Sequence, residues 1–499
     1  MQTLHSSSQA SQWLKSRVRG TLQSDSRQVQ AGDGFIAWPG AAHDARRFAP
    51  AALEQGAAAC LVEHQGAEDF DLRGETYAAY VGLKSEAGFI ASEFFGHPSQ
   101  ALDVLAVTGT NGKTSTAWWL AQALGNLPED QALPCGMIGT LGVGLPGQLE
   151  VTGLTTPDPV LLQKTLRRFA DAGIKACAIE ASSIGISEHR LDGTQVRVAI
   201  FTNFTQDHLD YHGDMAAYWS AKRQLFSWAG LRSAVVNIDD AQGILLAQEL
   251  EESALDLWTV SRHTLARLSA RNLAYEAQGM QFDVVEGGQS IRLHTAMMGD
   301  YNVSNLLGVI ATLRSLGIAL PAAVRACQGL TAVPGRMDCM GGDQAPLVVV
   351  DYAHTPDALE NALSALRPVA DARAGALWCV FGCGGDRDAG KRPAMGAIAM
   401  QGADLVIVTS DNPRTERPES IIAQILAGMS TQRAPRVLMD RAQAIAEAVT
   451  QATERDVVLI AGKGHESTQE IGGQKFEFSD KDHARLALLA RSAALEAAP

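Results

Sequence analysis

Short apolar runs alternate with helix-forming segments along most of the chain. The runs predict β-strands at 35–38, 58–63, 102–107, 177–179, 198–202, 234–238, 347–350, 376–381, 404–408 and 456–460. Helical patterns occupy 49–59, 117–124, 302–320 and 356–366. Because strands that alternate with helices form sheets with helical crossovers, this pattern predicts an α/β protein with mostly parallel sheets.

The helix predicted at 302–320 has its apolar positions three and four residues apart. They are Val303, Leu306, Leu307, Ile310 and Leu313. This spacing places them on one face of a helix that packs against the protein core. Asn302 stands at the predicted start, where an Asn side chain commonly caps a helix.

The 499 residues predict about three domains, at roughly 150 residues each. We expect a small N-terminal α/β domain at 1–98, a central domain at 99–333 and a C-terminal domain at 334–499. The turn-forming triplet His97-Pro98-Ser99 favours the first boundary. Polar loops follow the strands in both the second and the third segment, as in nucleotide-binding folds.

Composition and charge restrict the possible function. A net charge of −14 argues against a general nucleic-acid binder, which would be basic. The stretch 1–20 lacks the apolar core of a signal peptide, and no run approaches the ~18 apolar residues of a membrane span. The seven cysteines show no pairing pattern, which indicates reduced thiols in a cytoplasmic protein. For the close pair Cys379 and Cys383, we expect core positions rather than a metal site.

The stretch 104–116, VLAVTGTNGKTST, predicts a strand, a glycine-containing turn and the start of a helix. Backbone N–H groups at such a turn, together with the positive end of the helix dipole, bind phosphate. Lys113 adds a positive charge, and the hydroxyl of Thr114 or Ser115 can ligate Mg²⁺. The general GxxxxGK[ST] pattern is not fully met, because no glycine stands five residues before Gly112.

Chemically capable side chains follow the predicted strands of the central segment. Lys113, Glu180 and His208 each come just after a strand. Since ligands bind outside the carboxyl ends of parallel strands, these three side chains are expected to converge. The alternatives from the residues alone are that Glu180 caps the next helix and that His208 is an ordinary loop histidine.

Several longer strings, standing in order along nearly the whole chain, give a resemblance to the Mur ligases. They are TGTNGKTS (108–115), TTPD (155–158), EASSIGISEHR (180–190), FTNFTQDHLDYHGD (201–214), NVSNLL (302–307), GRMD (335–338), VVDYAHTPDALE (349–360), FGCGGDRDAGKRP (381–393), DNPRTE (411–416) and AGKGHE (461–466). The resemblance is greatest to the members that add 2,6-diaminopimelate as the third residue of the peptidoglycan stem peptide.

The resemblance implies a cytoplasmic, monomeric, ATP-dependent amide ligase with three domains. The small N-terminal α/β domain would bind a uridine nucleotide. The central P-loop ATPase-like domain would bind ATP, and the Rossmann-like C-terminal domain would bind the amino acid. ATP would phosphorylate the D-glutamate carboxylate of UDP-N-acetylmuramoyl-L-alanyl-D-glutamate. The amine of meso-diaminopimelate would then attack the acyl phosphate. No nucleic acid and no membrane span are expected.

The resemblance also implies the groups that bind ATP and two Mg²⁺ ions. The catalytic residues are Lys113, Glu180, His208, Lys222 and His354, with Lys222 carbamylated. The metal ligands are Thr114, Ser115, Glu180, His208 and Lys222. The ATP-binding residues are Gly109, Thr110, Asn111, Gly112, Lys113, Thr114, Ser115, Asn302, Asn305, Arg336 and Asp351. Without the family, Lys222 would be read as a solvated lysine on a helix.

The implied contacts with the uridine-muramoyl substrate are Ser24, Ser26, Ala41, Ala42, His43, Thr155, Thr156, Ser182, Glu188 and Arg190. The chain departs from the best-known diaminopimelate-adding members at three nearby positions. Leu154 replaces an Asn, Ile184 replaces a His and Glu188 replaces a Gln. Glu188 can still accept a hydrogen bond, but it adds a negative charge beside an anionic substrate.

The amino-acid pocket implied by the resemblance contains Arg387, Asp411, Asn412, Pro413, Arg414, Gly462 and Glu466. A guanidinium can bind a carboxylate through two hydrogen bonds, and diaminopimelate differs from lysine by a second carboxylate. Arg414 therefore favours diaminopimelate over lysine, and Glu466 can pair with the far ammonium. Without the family, DNPR would be read as an Asx-Pro turn with a surface arginine.

Two other functions remain open from the sequence. One is a different amide ligase of the same superfamily, such as a lysine-adding member or a folylpolyglutamate synthase. Arg414 argues against the first, and the string 207–212 with a nucleotide-binding first domain argues against the second. The other is a P-loop switch or motor, which would hydrolyse ATP without an acceptor.

Overall fold

The computed structural model describes residues 1–40, 43–276, 279–342, 344–429 and 434–496. The strands are β1 (Gln2–Leu4), β2 (Leu22–Gln23), β3 (Gly34–Ala37), β4 (Ala59–Glu63), β5 (Tyr77–Tyr80), β6 (Asp103–Thr108), β7 (Cys135–Gly139), β8 (Gly142–Leu145), β9 (Gln148–Glu150), β10 (Ala176–Glu180), β11 (Val198–Phe201), β12 (Ser233–Asn237), β13 (Asp256–Ser261), β14 (Leu268–Glu276), β15 (Gly279–Glu286), β16 (Gln289–Thr295), β17 (Asp338–Gly341), β18 (Leu347–Asp351), β19 (Leu377–Phe381), β20 (Leu405–Val408), β21 (Arg436–Val437), β22 (Val457–Ala461), β23 (Thr468–Ile471) and β24 (Gln474–Glu477).

The α-helices lie between these strands for most of the chain. They are α1 (Ser7–Lys15), α2 (Ala49–Glu54), α3 (Leu83–Phe94), α4 (Lys113–Gly125), α5 (Pro159–Asp171), α6 (Ser183–Ser187), α7 (Leu209–His212), α8 (Met215–Arg223), α9 (Ala241–Leu250), α10 (Tyr301–Ser315), α11 (Leu320–Gln328), α12 (Pro356–Ala372), α13 (Lys391–Gly402), α14 (Pro418–Leu426), α15 (Arg441–Gln451) and α16 (Asp480–Glu496). None of the helices in these described ranges combines the length and the apolar character needed to cross a membrane.

The first sheet is parallel throughout, with the strand order β1-β5-β4-β3-β2. Side chains of α1 and α3 pack with residues of the sheet in one apolar cluster, and side chains of α2 pack in another. The two clusters alternate along β4, because successive side chains of a strand point to opposite faces. The N-terminal segment is therefore a small α/β unit.

The central sheet contains the phosphate-binding stretch in its middle strand. Its order is β16-β15-β14-β13-β12-β11-β6-β10-β7-β8-β9. The run from β14 to β7 is parallel, whereas β15, β16, β8 and β9 pair antiparallel at the two edges. Helices α4, α10 and α11 cover one face, and α5 and α9 cover the other. With helices on both faces, the polar loops meet at the carboxyl edge of the strands.

The third sheet has the order β17-β18-β22-β19-β20-β21 and is parallel except for β17. Helices α12, α13 and α14 pack on one face, and α15 and α16 pack on the other. The hairpin formed by β23 and β24 stands outside this sheet. The three sheets confirm the α/β fold class, including the mostly parallel central sheet.

Each predicted strand is confirmed to within one residue at either end. Two predicted helices were too long. The one expected at 302–320 ends at Ser315, because Gly317 has a φ of +92° and a new helix starts at Leu320. The one expected at 49–59 ends at Glu54, before Gly56 at φ +104°. Cys379 and Cys383 are core residues, as predicted, and the cysteines are unpaired in the described chain.

Candidate functional site

The phosphate-binding stretch folds as the sequence predicts, with β6 leading through residues 109–112 into α4. Gly109 and Gly112 have φ values of +147° and +84°, which residues other than glycine rarely adopt. A Cβ at Gly112 would lie 2.4 Å from Asn305 Oδ1. The loop therefore needs glycine at both ends, and α4 begins directly after it, so that an anion can bind at the N-terminus of that helix.

Two lysines meet at this loop. The Nζ of Lys113 donates to the carbonyls of Gly109 and Thr110, each at 2.8 Å. The Nζ of Lys222, on α8, donates to the same Gly109 carbonyl at 2.7 Å. Lys222 is 1% exposed, so its interpretation as a solvated lysine is wrong. The Gly109 carbonyl therefore brings the amino groups of both lysines together beside the phosphate loop.

Burial lowers the pKa of both lysines. For Lys222 the pKa falls well below its usual value, through loss of water first and through the charge of Lys113 second. For Lys113 burial also lowers the pKa, against an opposing effect of Glu180. A lysine with a lowered pKa has more of its amine neutral and nucleophilic at neutral pH, which is the form that reacts with carbon dioxide.

Glu180 ends β10 with its side chain fully buried beside the phosphate loop. It accepts hydrogen bonds from the Thr114 hydroxyl at 2.9 Å and from Thr140, through the backbone N–H at 2.8 Å and the hydroxyl at 3.2 Å. The alternative that Glu180 caps the next helix is wrong, because Ser182 caps α6 by accepting from the Gly185 N–H. The Glu180 carboxylate therefore lies within hydrogen-bond distance of the Thr114 hydroxyl, which is itself a predicted Mg²⁺ ligand.

His208 lies at the start of α7 in a left-handed conformation, with φ +54°. Its backbone N–H donates to Asp207 Oδ1 at 2.9 Å, and its Nε2 is 3.5 Å from Asp207 Oδ2. Burial lowers the pKa of His208, as do Lys113 and Lys222, while Asp207 opposes the shift. The ring is therefore mostly neutral at pH 7, which is the form that can ligate a metal.

Magnesium is the metal that the resemblance implies, and the donors at this position are of the right kind. Among the described residues no three His, Cys, Asp or Glu side chains form a group able to hold a metal. Glu180, the Thr114 hydroxyl and neutral His208 supply oxygen and nitrogen donors. A carbamate on Lys222 would add an anionic oxygen, so the residues fit Mg²⁺ once that lysine is modified.

A cavity of about 320 Å³ opens between the phosphate loop and the C-terminal segment. Its lining includes residues of the loop, of α10 and of the C-terminal segment, among them Asn111, Gly112, Ser115, Asn302, Asn305, Arg336, Asp351 and His354. Seven of the eleven predicted ATP-binding residues thus line one cavity, whereas Gly109, Thr110, Lys113 and Thr114 are not part of its lining. Its volume is in the range of small-molecule sites.

The two asparagines of α10 face this cavity. Asn302 donates to the Met298 carbonyl at 2.7 Å and accepts from Asn305 Nδ2 at 3.0 Å. The predicted capping role of Asn302 is wrong, because the helix starts at Tyr301 with Asp300 at the cap position. Asn305 also lies against Gly112, so α10 and the phosphate loop fit closely.

Arg336 and Asp351 connect the C-terminal segment to the loop. Arg336 Nη2 lies 3.4 Å from the Thr114 hydroxyl, and its guanidinium stacks 4.3 Å from the Tyr352 ring centre. Asp351 accepts from the backbone N–H groups of Met337 and Ala353, and burial raises its pKa. Arg336 therefore adds its positive charge to that of Lys113 in the phosphate region.

His354 follows β18 and lies beside Tyr352, with a ring distance of 4.6 Å. Its Nδ1 is 2.8 Å from the Tyr352 carbonyl, so Nδ1 carries the proton and Nε2 is the nitrogen that can accept a hydrogen bond or ligate a metal. Burial lowers the pKa of His354 to about 4, with Lys391 as a further cause. The ring is neutral at pH 7.

The predicted uridine-muramoyl contacts fall on both the N-terminal and the central segment. Ser24 donates to Asp158 Oδ1 at 2.8 Å across the two segments, and Ser26 begins a short 3₁₀-helix nearby in sequence. His43 is exposed, whereas Ala41 and Ala42 lie outside the described residues. The Ser24–Asp158 bond shows that the first sheet docks on the start of α5.

Thr155, Thr156, Ser182 and Arg190 form one hydrogen-bonded group behind Glu180. Thr156 Oγ1 donates to the Glu180 carbonyl at 2.7 Å and is 2.9 Å from Ser182 Oγ. Arg190 donates to the Thr156 carbonyl at 3.0 Å, and Thr155 Oγ1 is 3.0 Å from Thr140 Oγ1. These contacts connect the predicted substrate residues directly to the predicted metal ligand.

The negative charge of Glu188 is compensated in the fold. Its Oε2 lies 2.7 Å from Lys84 Nζ of α3, and its Oε1 accepts from the Tyr211 hydroxyl. Although burial alone would raise the pKa of Glu188, Lys84 and Tyr211 hold that pKa below its ordinary value. The Glu at position 188, where the best-known members have Gln, is therefore paired with a lysine from the N-terminal segment.

The predicted amino-acid pocket is assembled from loops after β19, β20 and β22. Arg414 has φ +51° and is 23% exposed, and its Nη1 donates to the Gly385 carbonyl at 2.6 Å. The alternative of a surface arginine is wrong, because the guanidinium is mostly buried. Asn412 Nδ2 donates to Glu466 Oε2 at 2.8 Å. Arg387 stays more exposed, with Nη1 4.0 Å from Asp210 of the central segment.

The rest of the pocket is fixed by its backbone. Pro413 is buried, and its carbonyl accepts from the Glu416 N–H at 3.0 Å. Asp411 is also buried, and a Cβ at Gly462 would lie 2.5 Å from its Oδ2. Gly462 is therefore the residue that lets the loop after β22 pass against Asp411.

Sequence reasoning missed residues whose role depends on contacts between distant segments. Lys463 sits inside the string AGKGHE, Asp357 inside VVDYAHTPDALE and Asn203 inside FTNFTQDHLDYHGD, yet none was selected. Asn203 Oδ1 accepts from the Asn111 N–H, and Asp357 Oδ2 accepts from Asn111 Nδ2. Their position within the strings was the only available signal, and it does not reveal a partner elsewhere in the chain.

The phosphate loop lies in a mostly parallel sheet with helices on both faces, and the predicted amino-acid pocket lies on a second α/β unit, an arrangement typical of a nucleotide-dependent enzyme. The Mur ligase middle domain model matches residues 107–313, and the Mur ligase, glutamate ligase domain model matches residues 335–464. The chain belongs to the Mur ligase family, and it is an enzyme of the ligase class.

Two curated relatives and one solved structure carry the same name. The chain is 60% identical over 495 residues to the UDP-N-acetylmuramoyl-L-alanyl-D-glutamate--2,6-diaminopimelate ligase of Acidovorax sp. (strain JS42), covering 98% of this chain and 99% of the relative. It is 48% identical over 494 residues to the Janthinobacterium sp. (strain Marseille) enzyme of the same name, covering 96% of each. A solved structure of an enzyme with that name is 36% identical, covers 95% of each chain and has a TM-score of 0.64.

Proposed function

We propose that the chain is an ATP-dependent amide ligase that adds meso-2,6-diaminopimelate to UDP-N-acetylmuramoyl-L-alanyl-D-glutamate during peptidoglycan precursor synthesis. The observation that carries the chemistry is the meeting of Lys113 and Lys222 at the Gly109 carbonyl, beside Glu180. The name shared by relatives up to 60% identical supports the choice of substrates.

The charges suit a reaction between two anions. The γ-phosphoryl group of ATP passes to an oxygen of the D-glutamate side-chain carboxylate, and ADP leaves. Lys113 and Arg336 reduce the repulsion between the triphosphate and the carboxylate. The amine of diaminopimelate then attacks the carbonyl carbon, the C–O bond to phosphate breaks, and the nitrogen loses a proton. Inorganic phosphate leaves with the acyl oxygen.

Magnesium, when bound, would neutralise part of the phosphate charge in this site. Thr114, Ser115, Glu180, His208 and a carbamylated Lys222 are the proposed ligands for two ions. The buried position of Lys222 and its lowered pKa support carbamylation, because only the neutral amine reacts with carbon dioxide. The modification also replaces one of two adjacent ammonium groups with an anion.

The three segments would divide the substrates among them. Residues 1–98 with parts of 99–333 would bind the uridine nucleotide. The segment 99–333 would bind ATP, and the segment 334–499 would bind the amino acid. The Ser24–Asp158 bond supports the first assignment, and the shared cavity supports the second. The mostly buried Arg414 beside Glu466 and Asn412 supports the third. We propose a monomer that works in the cytoplasm.

A phosphate-release assay tests the proposal. The purified chain receives ATP, Mg²⁺ and the muramoyl dipeptide nucleotide, with meso-diaminopimelate, L-lysine or no amine. We expect rapid release only with diaminopimelate, together with a tripeptide product seen by mass spectrometry. Preferred use of lysine would identify a lysine-adding ligase. Equally rapid release when both the nucleotide and the amine are omitted would identify an ATPase and overturn the proposal.

A further inference from the structure

Lys463 is a fully buried lysine that no part of the proposed mechanism uses. It lies between Gly462 and Gly464, directly after β22, and is 0% exposed. Its Nζ makes three contacts, to Glu466 Oε2 at 2.7 Å, Asn412 Oδ1 at 3.0 Å and the Thr468 carbonyl at 2.7 Å. An ammonium has three N–H donors, so all of them are used.

These contacts close a network around Glu466. Asn412 Nδ2 donates to the same Glu466 Oε2, at 2.8 Å, so that oxygen has two donors. Within the described ranges Oε1 accepts no hydrogen bond, and the Glu466 side chain is 29% exposed. One carboxylate oxygen is therefore fixed inside the protein, and the other remains for a ligand in the pocket.

The network also holds the hairpin of β23 and β24 against the loop that carries Arg414. The backbone N–H of Glu470 donates to Asn412 Oδ1 at 3.0 Å, and the Arg414 N–H donates to the Glu470 carbonyl at 3.0 Å. Gln469 Nε2 donates to the Asp411 carbonyl at 2.7 Å. Lys463 joins this assembly through the Thr468 carbonyl, at the start of the hairpin.

We propose that Lys463 is a positioning residue for amino-acid selection, which orients Glu466 so that one carboxylate oxygen faces the ammonium of the incoming amino acid. The inference rests on the proposed function. Lys463 touches no substrate and acts through Glu466, with Asn412 as the bridging group. A buried charge is stable only when it is paired and hydrogen-bonded, and each of these two charges is the other's partner.

The assignment predicts an effect on one substrate only. Replacing Lys463 with Met keeps the length of the side chain and removes its charge and donors. Glu466 then loses its buried partner and rotates toward water, so diaminopimelate loses a preorganised acceptor. We expect the KM for diaminopimelate to rise by about tenfold or more, the equivalent of a lost charged hydrogen bond. The KM for ATP and that for the nucleotide substrate should change less than about twofold.

A double-mutant cycle with Glu466→Gln separates positioning from a merely structural role. If Lys463 acts through Glu466, Lys463→Met in the Glu466→Gln background raises the KM for diaminopimelate no more than about twofold further. This background contains no isolated buried carboxylate, so it keeps the test valid if the single Lys463→Met variant fails to fold. If Lys463→Met raises the KM for diaminopimelate by the same factor with Glu466 and with Gln at position 466, the two residues act independently. That result would overturn the inference.

Lys481→Met is the matched control. Lys481 lies in the same C-terminal segment and makes an ion pair of the same length, 2.7 Å, with Asp338. We expect its KM for diaminopimelate to equal that of the unaltered chain. If the unaltered chain does not use diaminopimelate, the proposed function fails. If it does, and Lys463→Met leaves the KM for diaminopimelate unchanged, only the present inference fails.

Discussion

At the scale of single residues, the site is dominated by charges that the fold removes from water. Lys113, Lys222 and Glu180 are held within hydrogen-bond reach of the phosphate loop. Lys222 and Glu180 are buried and Lys113 is half-buried, which makes them chemically different from surface residues of the same type. Two ammonium groups share one carbonyl, which favours the conversion of one of them into a neutral or anionic form.

Lys222→Ala tests that conversion. We expect activity to fall by about a hundredfold or more, since an anion that helps hold Mg²⁺ is lost. Small carboxylates such as formate or acetate should restore part of the activity, because they can occupy the space of the carbamate. Phosphate release with increasing carboxylate concentration measures this. Lys113→Ala is the control and should gain nothing, because a carboxylate cannot replace an ammonium; unchanged activity in Lys222→Ala would contradict the role.

Arg414 is the residue on which we propose that the choice of amino acid depends. Because its φ is +51°, Arg414→Asn is a cleaner test than Ala, since Asn tolerates this conformation. We expect the KM for diaminopimelate to rise at least about tenfold, through loss of a charged hydrogen bond to its second carboxylate. Steady-state kinetics with each substrate varied in turn would measure it. Arg417→Asn, exposed and three residues away, should leave all three KM values unchanged.

At the scale of elements, the unit formed by β6, the phosphate loop and α4 is specified both locally and by its neighbour α10. The apolar run and the glycines determine a strand, a turn and a helix. The closeness of the turn to Asn305 comes from α10, which lies far along the chain. The conformation of the loop therefore depends on its contact with α10, which cannot be read from the sequence around the loop.

Gly112→Ala tests this dependence, with Gly125→Ala at the other end of α4 as the control. A Cβ at Gly112 would clash with Asn305 at a φ of +84°, whereas a Cβ at Gly125 meets nothing within 4 Å. We expect Gly112→Ala to raise the KM for ATP several-fold and to lower the free energy of unfolding by about 1–2 kcal/mol. Gly125→Ala should be neutral or slightly stabilising, by about 0.5 kcal/mol. Equal behaviour of the two variants in kinetics and thermal unfolding would refute the close fit.

At the scale of the whole molecule, contacts between segments complete the sites. Asn111 reaches Asp357 of α12 at 2.7 Å, and Arg387 lies 4.0 Å from Asp210. Ser24 and Lys84 of the first segment contact Asp158 and Glu188 of the second. Each proposed substrate position thus takes residues from more than one sheet.

The Lys84–Glu188 pair gives a prediction at this scale. Lys84→Met leaves the Glu188 charge uncompensated near an anionic nucleotide, so we expect the KM for the muramoyl nucleotide to rise about fivefold, as for a partly exposed ion pair. Adding Glu188→Gln should return it to within about twofold of the unaltered chain. Initial rates at varied nucleotide concentration measure both. Lys15→Met, another lysine of the first segment, should have no effect; a double variant as impaired as Lys84→Met would refute charge compensation.

Antiparallel edges of the central sheet show where local patterns were insufficient. The strands β8, β9, β15 and β16 were not predicted from the sequence, whereas the four central parallel strands β6, β10, β11 and β12 were. Parallel strands covered on both faces are almost continuously apolar, and that signal is local. Strands β9 and β16 have exposed and half-exposed residues and are stable mainly because a neighbour supplies their hydrogen bonds. Their pairing is a tertiary property.

By itself, the sequence determined the α/β class, the phosphate loop and the family, because apolar periodicity, glycine positions and ordered strings are all local features of the chain. The tertiary structure decided which charges are compensated. Only the fold brings Lys222 to Gly109, Lys84 to Glu188 and Lys463 to Glu466. The physical reason is that the state of a charged side chain depends on its distance from other charges and from water, and both are set by packing between segments far apart in the chain.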